Sequence, residues 1–196
     1  MAKIIPLKNG TKKDAITAIA ARLFKENGYS ATSMRDLAEA IGVEAPSLYN
    51  HIGSKKEILQ EICNRIAQVF ITNLNHIQSS DDPIIIKLEK IIRFHIKMMI
   101  EDYEEVYLSD HEWKHLGEPF LSDFKNLRRN YRSQLALIVR EGVKSLEVKD
   151  IDSYVVVLTI LSAVGGIESW HRSKKTVDAV ALTENMVRLL IEGIRR

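Results

Sequence analysis

Apolar residues recur at helical spacing along nearly the whole of this 196-residue chain. In the first periodic segment Ile16, Ile19, Ala20, Leu23 and Phe24 follow the i, i+3, i+4, i+7, i+8 pattern that forms one apolar stripe on an α-helix. No segment alternates apolar and polar residues between hairpin turns, as a half-buried strand would. The sequence therefore predicts an all-α fold.

Glycines and capping residues divide the N-terminal part of the chain into short helices. Gly28 stands where a left-handed cap would end the first helix, and Thr32 or Ser33 can cap a second helix that ends at Gly42. A third helix follows over residues 45–51. We expect each of the last two to have fewer than three turns.

A Ser-x-x-Glu pattern at residues 54–57 predicts a capping box at the start of a long fourth helix. The periodicity then predicts five further helices, over residues 84–101, 103–115, 119–144, 151–172 and 176–194.

Composition excludes some classes of protein. A hydrophobic content of 45% and a charged content of 28% are typical of a globular protein and argue against disorder. The single cysteine, Cys63, cannot form an intrachain disulfide, and the apolar run of residues 154–167 is shorter than the roughly 20 residues that a bilayer span needs. We expect a soluble, cytoplasmic protein.

Positive charge is concentrated at the N-terminus. Residues 1–60 hold nine Lys and Arg against six Asp and Glu, whereas the rest of the chain holds 19 against 20. Such an excess can serve phosphate contacts if folding gathers it on one surface, and a dimer would double it.

The second and third helices suit a helix-turn-helix that reads DNA. The major groove is about 12 Å wide and admits one helix, whose N-terminal residues face the base edges. In residues 45–51 only Leu48 is placed to anchor the helix in the core, while Ser47, Tyr49, Asn50 and His51 can form hydrogen bonds outward. We therefore expect a flexible arm over residues 1–11, a DNA-binding domain over 12–60, and a ligand-binding and dimerisation domain over 61–196.

Specific motifs in the first 60 residues resemble those of TetR-family regulators. They are Ala20-Ala21-Arg22-Leu23-Phe24, Gly28-Tyr29, Thr32, Ile41-Gly42-Val43, Leu48-Tyr49, His51 and Ser54-Lys55-Lys56-Glu57-Ile58-Leu59. The resemblance implies phosphate contacts from Thr32, Ser33, Tyr49, His51 and Lys55, and base contacts from Arg35, Ser47 and Asn50. For Tyr49, His51 and Lys55 a purely structural role stays open.

Two positions at the start of the recognition helix depart from the commonest family pattern. Glu44 stands where Ser or Thr often caps this helix, and Pro46 stands where Gly is frequent. The first departure puts one phosphate contact in doubt and suggests an acceptor for cytosine. We expect Glu44 and Ala45 to lie at the DNA.

The C-terminal helices predict a dimer interface. Residues 154–167 are apolar nearly all round, so the helix must be buried on more than one side. Paired with residues 176–194, it would form half of a four-helix dimer bundle, as the family resemblance also implies. The residues expected there are Leu158, Leu161, Gly165, Gly166, Val187 and Leu190; burial inside a single chain is the alternative.

Residues 111–115 match the HExxH pattern of zinc hydrolases. The histidines would be His111 and His115, with Glu112 between them, but Glu118 and Leu121 occupy the Gly and His positions of the extended pattern. A second resemblance competes with this one. Glu112-Trp113-Lys114-His115-Leu116, residues 128–131, Glu141-Gly142 and Trp170-His171-Arg172 are similar to TetR regulators that respond to acyl-CoA thioesters. We expect no catalytic residue, metal or cofactor, and keep a zinc hydrolase as the alternative.

A ligand site is predicted in the larger domain. Lys125, Arg128, Arg129 and Arg132 share one helix face, which is either a site for ligand phosphates or an ordinary solvated face. The expected ligand-binding residues are Met98, Met99, Tyr103, Trp113, Arg128, Arg129, Tyr131 and Arg132. His95 lies on an apolar face and is expected to be a core residue with a hydrogen-bond partner.

Together these features predict a homodimeric transcriptional repressor that binds a palindromic operator in double-stranded DNA. A small-molecule effector, for which the resemblance suggests an acyl-CoA, would release the repressor by favouring another spacing of the two recognition helices. Activation in place of repression stays open, as does a helical interaction module without DNA binding.

Overall fold

The computed structural model describes residues 11–173 and 177–196, and in these residues all regular structure is helical. This confirms the all-α prediction. Residues 1–10 of the arm predicted over residues 1–11, and the predicted start of the last helix at Thr176, lie outside the described residues. The α-helices are α1 Lys12–Asn27, α2 Met34–Ile41, α3 Ala45–Tyr49, α4 Lys55–Gln78, α5 Ile84–Glu101, α6 Tyr103–His111, α7 Phe120–Lys144, α8 Ser153–Gly165, α9 Ile167–Arg172 and α10 Ala179–Ile194, with a short 3-10 helix at Trp113–His115.

The described residues form two compact units. The first contains the chain up to Gln68 together with Glu104–Asn126, and the second contains Val69–Tyr103 together with Leu127–Arg196. Helices α4 and α7 each contribute residues to both units. The functional division at residue 60 stays a prediction.

In the first unit α1 packs on α2, and α2 packs on α3. Ile16, Ala20 and Phe24 of the predicted stripe are buried, but Ile19 and Leu23 are only half-buried. Ala15 and Ala21 are also buried. The packed face of α1 is therefore rotated from the predicted stripe and contains smaller side chains.

The caps of these helices are formed by side chains, largely as the sequence predicts. Ser33 caps α2, where its hydroxyl accepts a hydrogen bond from Asp36 N at 3.2 Å, and Gly42 ends the helix in the left-handed region at φ 77°. The predicted box at residues 54–57 is shifted by one residue. Ser54 Oγ accepts from Glu57 N at 3.1 Å, but the Glu57 carboxylate accepts from Gly53 N at 2.9 Å.

In the second unit α5 lies at the centre, in contact with α8, α9 and α10. Leu88, Ile92 and Ile96 of α5 are fully buried. Arg93 on the same helix donates to both carboxylate oxygens of Glu184 on α10, at 2.6 and 2.9 Å. This bidentate pair supplements the apolar contact between the two helices.

Two helices predicted as continuous are interrupted. The predicted helix 103–115 ends at His111 and is followed by the separate 3-10 turn, and the predicted helix 151–172 is divided at Gly166 into α8 and α9. Asp152 caps α8 by accepting from Tyr154 N at 2.8 Å, which sets the helix start at Ser153. The sequence periodicity continues through both breaks and therefore did not reveal them.

Candidate nucleic-acid interface and exposed apolar face

Helix α3 is held by one buried side chain and exposes most of the others. Leu48 is completely buried, whereas Tyr49 is 52% exposed. Glu44, Asn50 and His51 are also exposed, and Ala45 and Ser47 are half-buried. A helix with this distribution leaves its polar surface for contacts outside the chain.

The helix is shorter than predicted. It ends at Tyr49, with Asn50 as its C-cap, and His51 follows in a turn in which its N–H donates to Leu48 O at 2.9 Å. Asn50 and His51 therefore extend the polar surface beyond the helix end. Helix α3 ends at Tyr49 because the chain must turn before α4 begins at Lys55.

At the start of α2, Ser33 and Arg35 are exposed as predicted for DNA contacts, but Thr32 is not. Thr32 is 2% exposed, and its hydroxyl donates to Gly28 O at 2.9 Å. The Ser33 hydroxyl donates to Asp36 Oδ2 at 2.8 Å. Hydrogen bonds from Ser33 hold the pKa of the Asp36 carboxyl below its usual value.

Lys55, at the first position of α4, points its ammonium group into the turn between α1 and α2. The Nζ atom donates to Tyr29 O and Thr32 O, both at 2.7 Å, and to Ser30 O at 3.3 Å. The same atom lies 4.5 Å from the centroid of the Tyr29 ring. A phosphate contact from Lys55 was predicted; the structure places the charge among backbone carbonyls.

Tyr29 joins the turn to two other parts of the first unit. Its buried ring packs edge-on against Phe24 with centroids 5.1 Å apart, and stacks on His115, also at 5.1 Å. Burial raises the pKa of the Tyr29 hydroxyl, with smaller contributions from Cys63 and Glu112. The turn before α2 is therefore held from three sides, by Phe24, Lys55 and His115.

The HExxH residues do not lie on one continuous α-helix. His111 is the exposed last residue of α6, and its ring lies 4.4 Å from that of Tyr107. His115 lies in the 3-10 turn, and its Nε2 is 3.2 Å from a carboxylate oxygen of Glu112. Among residues 11–173 and 177–196, no group of three or more His, Cys, Asp and Glu side chains is arranged to hold a metal ion.

The predicted ligand residues fall in both units. In the second unit Met98, Met99 and Tyr103 are buried and Tyr131 is half-buried. Of the arginines there, Arg128 is half-buried and Arg129 and Arg132 are exposed. Trp113 belongs to the first unit, where the Nζ of Lys125 lies 5.7 Å from its ring centroid. Contacts of Met99 and Tyr103 support a role in the core as well, since the His171 ring stacks on Tyr103 at 3.8 Å and His171 Nε2 lies 2.7 Å from Met99 O.

His95 is a core residue with a hydrogen-bond partner, as the sequence predicts. Its Nε2 lies 2.7 Å from the Tyr131 hydroxyl, and its ring centroid is 4.6 Å from that of Phe70. Burial lowers the pKa of His95 to about 4 and raises the pKa of Tyr131. The imidazole is therefore neutral at physiological pH, and the Tyr131 hydroxyl is engaged with a residue of its own chain.

Helices α8 and α10 expose large apolar side chains. Tyr154 and Leu158 of α8 are 72% and 51% exposed, and Val180 and Leu189 of α10 are 73% and 72% exposed. We call these four residues, with Val155 of α8, the exposed apolar face. Contiguous apolar surface marks interaction sites in soluble proteins, and Tyr154, Val155 and Leu158 lie on one side of α8.

The predicted interface residues differ in their positions. Leu158, Gly165 and Gly166 are exposed, and Leu161 and Leu190 are half-buried. Val187 is 4% exposed, because it faces the core of its own unit. Sequence reasoning missed Val180 and Leu189. Leu189 lies on the opposite side of α10 from the buried Val187 and Ile191, whereas Val180 shares their side and is exposed in the first turn of the helix.

One segment, Ser153–Arg172, has the length and composition of a membrane-crossing helix, and 28% of its apolar window is buried. A single segment of this kind is weak evidence, because helices of soluble proteins can have the same composition. The division into α8 and α9 at Gly166 falls inside it.

A helix-turn-helix whose polar recognition surface is exposed, followed by a larger helical unit, defines a DNA-binding transcriptional regulator. The model of the tetR family of bacterial regulatory proteins matches residues 16–62, and that of the tetracyclin repressor-like C-terminal domain matches residues 81–194. The chain therefore belongs to the TetR family, which confirms the resemblance seen in its sequence.

Individual proteins and structures are similar over nearly the full length. The HTH-type transcriptional repressor KstR2 of Rhodococcus jostii is 25% identical over 190 residues, 95% of this chain and 92% of that protein. The structure of the ketosteroid transcriptional regulator KstR2 of Mycobacterium tuberculosis has a TM-score of 0.88 at 20% identity, covering 99% of this chain and 100% of that one. AibR in complex with isovaleryl coenzyme A and operator DNA has a TM-score of 0.80 at 24% identity, covering 91% and 97%.

Proposed function

We propose that this protein is a homodimeric repressor that binds a palindromic DNA operator and is released by a small-molecule effector. The observation that carries the proposal is α3, a helix with a single buried anchor, Leu48, and an exposed polar surface. The exposed apolar face supports the dimer, since a second copy would cover it with the same surface. Two recognition helices could then occupy successive major grooves.

The DNA contacts that we propose follow the exposed residues. Arg35, Ser47 and Asn50 are the candidates for base edges, with Glu44 as an acceptor and Ala45 as an apolar contact. Ser33, Tyr49 and His51 are the candidates for phosphates. Thr32 is better suited to positioning the turn, because its hydroxyl is buried and donates to Gly28 O.

The operator is found by selection of random duplexes with the purified protein, and fluorescence anisotropy then measures affinity. The logarithm of the binding constant should fall linearly with the logarithm of salt concentration, with a slope of about −0.9 for each phosphate contacted. Selected sites should be inverted repeats whose half-sites are about 10 base pairs apart. Absence of any selected duplex at low salt would contradict the proposal.

We propose an acyl-CoA thioester as the effector. AibR, similar in fold, has been solved with isovaleryl coenzyme A and operator DNA, and the KstR2 relative is named a repressor. In the second unit Arg128, Arg129 and Arg132 offer positive charge for coenzyme A phosphates, and Met98, Met99, Tyr103 and Tyr131 are the candidates for the acyl group. Trp113 belongs to the first unit, and its part in ligand binding stays a prediction.

The effector is tested by adding isovaleryl-CoA, a long-chain acyl-CoA, free coenzyme A or the free acid to the preformed DNA complex. A thioester that releases the DNA, where neither of its two parts does so alone, supports the proposal. The Arg128→Gln/Arg129→Gln double variant should require more thioester for release and keep its affinity for DNA. Release by the free acid alone would exclude the coenzyme A part.

We also infer that the chain is a cytoplasmic protein and not a zinc hydrolase. His115 is engaged by Glu112 and by the Tyr29 ring, and His111 lies at the end of a different helix. Elemental analysis after incubation with zinc and dialysis should give well under one zinc per chain. One tightly bound zinc per chain, lost in His111→Ala, would contradict this inference.

A further inference from the structure

The Lys55 ammonium group contacts the backbone of the helix-turn-helix itself. A lysine ammonium has three N–H donors, and here three carbonyl oxygens, of Tyr29, Ser30 and Thr32, lie within hydrogen-bond distance. The Tyr29 ring lies beside the same nitrogen at 4.5 Å. A phosphate oxygen could reach Nζ only by displacing one of these partners.

The location of Lys55 explains why such an arrangement is needed. As the first residue of α4, it stands at the positive end of a helix dipole, where a cation is disfavoured. Carbonyl oxygens present the negative ends of peptide dipoles. The turn before α2 therefore supplies the compensation that α4 itself cannot supply.

The hydrogen bond from Lys55 to Thr32 O joins the two ends of the segment that contains α2 and α3. Ser33 follows Thr32 directly and caps α2, and α4 begins at Lys55. The hydrogen bond thus joins Thr32 and Lys55, which are 23 residues apart along the chain. We call this junction of the start of α2 with the start of α4 the base of the helix-turn-helix. Its loss would free the start of α2 relative to α4 without altering any exposed side chain of α3.

We propose that Lys55 is a positioning residue that closes the base of the helix-turn-helix, and that it makes no phosphate contact. This inference rests on the proposed binding of DNA. It differs from the role that the family resemblance implies for a lysine at this position. The two roles predict different responses to salt.

The test compares Lys55→Met with Lys56→Met, whose exposed neighbouring side chain provides the matched control. Operator affinity is measured over a range of salt concentrations, at a temperature at which circular dichroism shows each variant fully folded. Loss of one phosphate contact per protomer would reduce the magnitude of the salt slope by about 1.8 in a dimer. For Lys55→Met we expect affinity to fall about ten-fold or more at every salt concentration with an unchanged slope.

A second variant and a second measurement distinguish a positioning role of Lys55 from a phosphate contact. Lys55→Arg retains the charge, so a phosphate contact would survive, whereas the planar guanidinium does not fit three converging carbonyls and affinity should stay low. Lys55→Arg also serves if Lys55→Met fails to fold. Hydrogen exchange without DNA should be faster at the amides of residues 32–37 in Lys55→Met, and unchanged in Lys56→Met.

A slope reduced by about 1.8, full affinity in Lys55→Arg, or unchanged exchange at residues 32–37 would each overturn the proposal. Unchanged DNA affinity in Lys55→Met would overturn it as well, since the residue would then only stabilise the fold. If the unaltered protein binds no duplex, the proposed function fails by itself, and the exchange measurement still decides whether Lys55 holds the turn.

Discussion

Helices α3 and α8 expose opposite kinds of surface. In α3 the apolar Leu48 is buried and the polar residues around it are exposed, whereas α8 exposes Tyr154 and Leu158. The second unit also contains a hydrogen-bonded polar pair, the buried His95 and the half-buried Tyr131. What a helix leaves uncovered therefore indicates its partner: hydrogen-bonding groups suit base edges and phosphates, and apolar groups suit another protein surface.

The largest expected effect concerns the exposed apolar face. In Leu158→Glu a charge would be buried at the centre of the proposed dimer interface, and its desolvation costs several kcal/mol. We expect the dissociation constant of the dimer to rise at least about 100-fold, which corresponds to about 2.7 kcal/mol. Sedimentation equilibrium measures this constant, and operator binding should weaken with it because the palindrome needs two copies.

Leu137→Glu is the matched control for this change. Leu137 on α7 is 45% exposed, close to the 51% of Leu158, but lies outside α8 and α10. It should leave the dimer intact. If the dimers of both variants dissociate equally, the exposed apolar face is not the interface. If the unaltered protein is a monomer, there is no dimer interface to locate.

The buried His95 side chain should make stability depend on pH. Burial lowers the pKa of His95 to about 4 in the folded chain, below its ordinary value of 6.5. Between these values the unfolded chain binds a proton that the folded chain does not, so the free energy of unfolding falls as the pH falls from about 6.5 toward 4. From pH 7 to pH 5 the loss due to this group should be roughly 2 kcal/mol.

Urea unfolding at pH 7 and pH 5 measures this loss, with His95→Leu as the comparison. The variant should be less stable than the unaltered protein at pH 7, because the Tyr131 hydroxyl loses its hydrogen-bond partner. Its free energy of unfolding should nevertheless change less between the two pH values. An identical change in both proteins would mean that His95 is already protonated or accessible in the folded chain.

Much of the fold could be predicted, because helical periodicity and capping residues are local signals. Ser33 and Gly42 bound α2 as expected, and Leu48 is the single anchor of α3. The interruptions at Glu112 and Gly166 could not be predicted, since the apolar pattern continues through them.

The candidate site was predictable in its location and less so in its details. Motif spacing identified the helix-turn-helix, but it could not show that the Thr32 hydroxyl and the Lys55 ammonium point to backbone carbonyls. Both roles arise from the turn at residues 28–32, whose carbonyl directions no side-chain pattern encodes. Val187, predicted at the dimer interface, is buried in its own unit, and its place in the interface stays a prediction.

Asn50 tests the polar surface of α3, as Leu158 tests the apolar surface of α8. It is exposed at the C-cap of α3, where its amide could donate to and accept from an adenine edge. Asn50→Ala should weaken binding to the selected operator by about 1–3 kcal/mol and relax base preference at one position in each half-site. Its salt slope should be unchanged, and Asn75→Ala, exposed on α4, should have no effect.

The smallest expected effect concerns the cap that starts α10. Asp178 accepts a hydrogen bond from Ala181 N at 2.8 Å, and α10 carries Val180 and Leu189 of the exposed apolar face. Replacing an N-cap aspartate by alanine costs about 1 kcal/mol. Thermal unfolding of Asp178→Ala should occur a few degrees lower, and Asp178→Ser should restore most of the loss because serine also caps. If the apolar face is the dimer interface, the dissociation constant should rise only a few-fold, because fraying at the first turn displaces Val180 and leaves Leu189 in place.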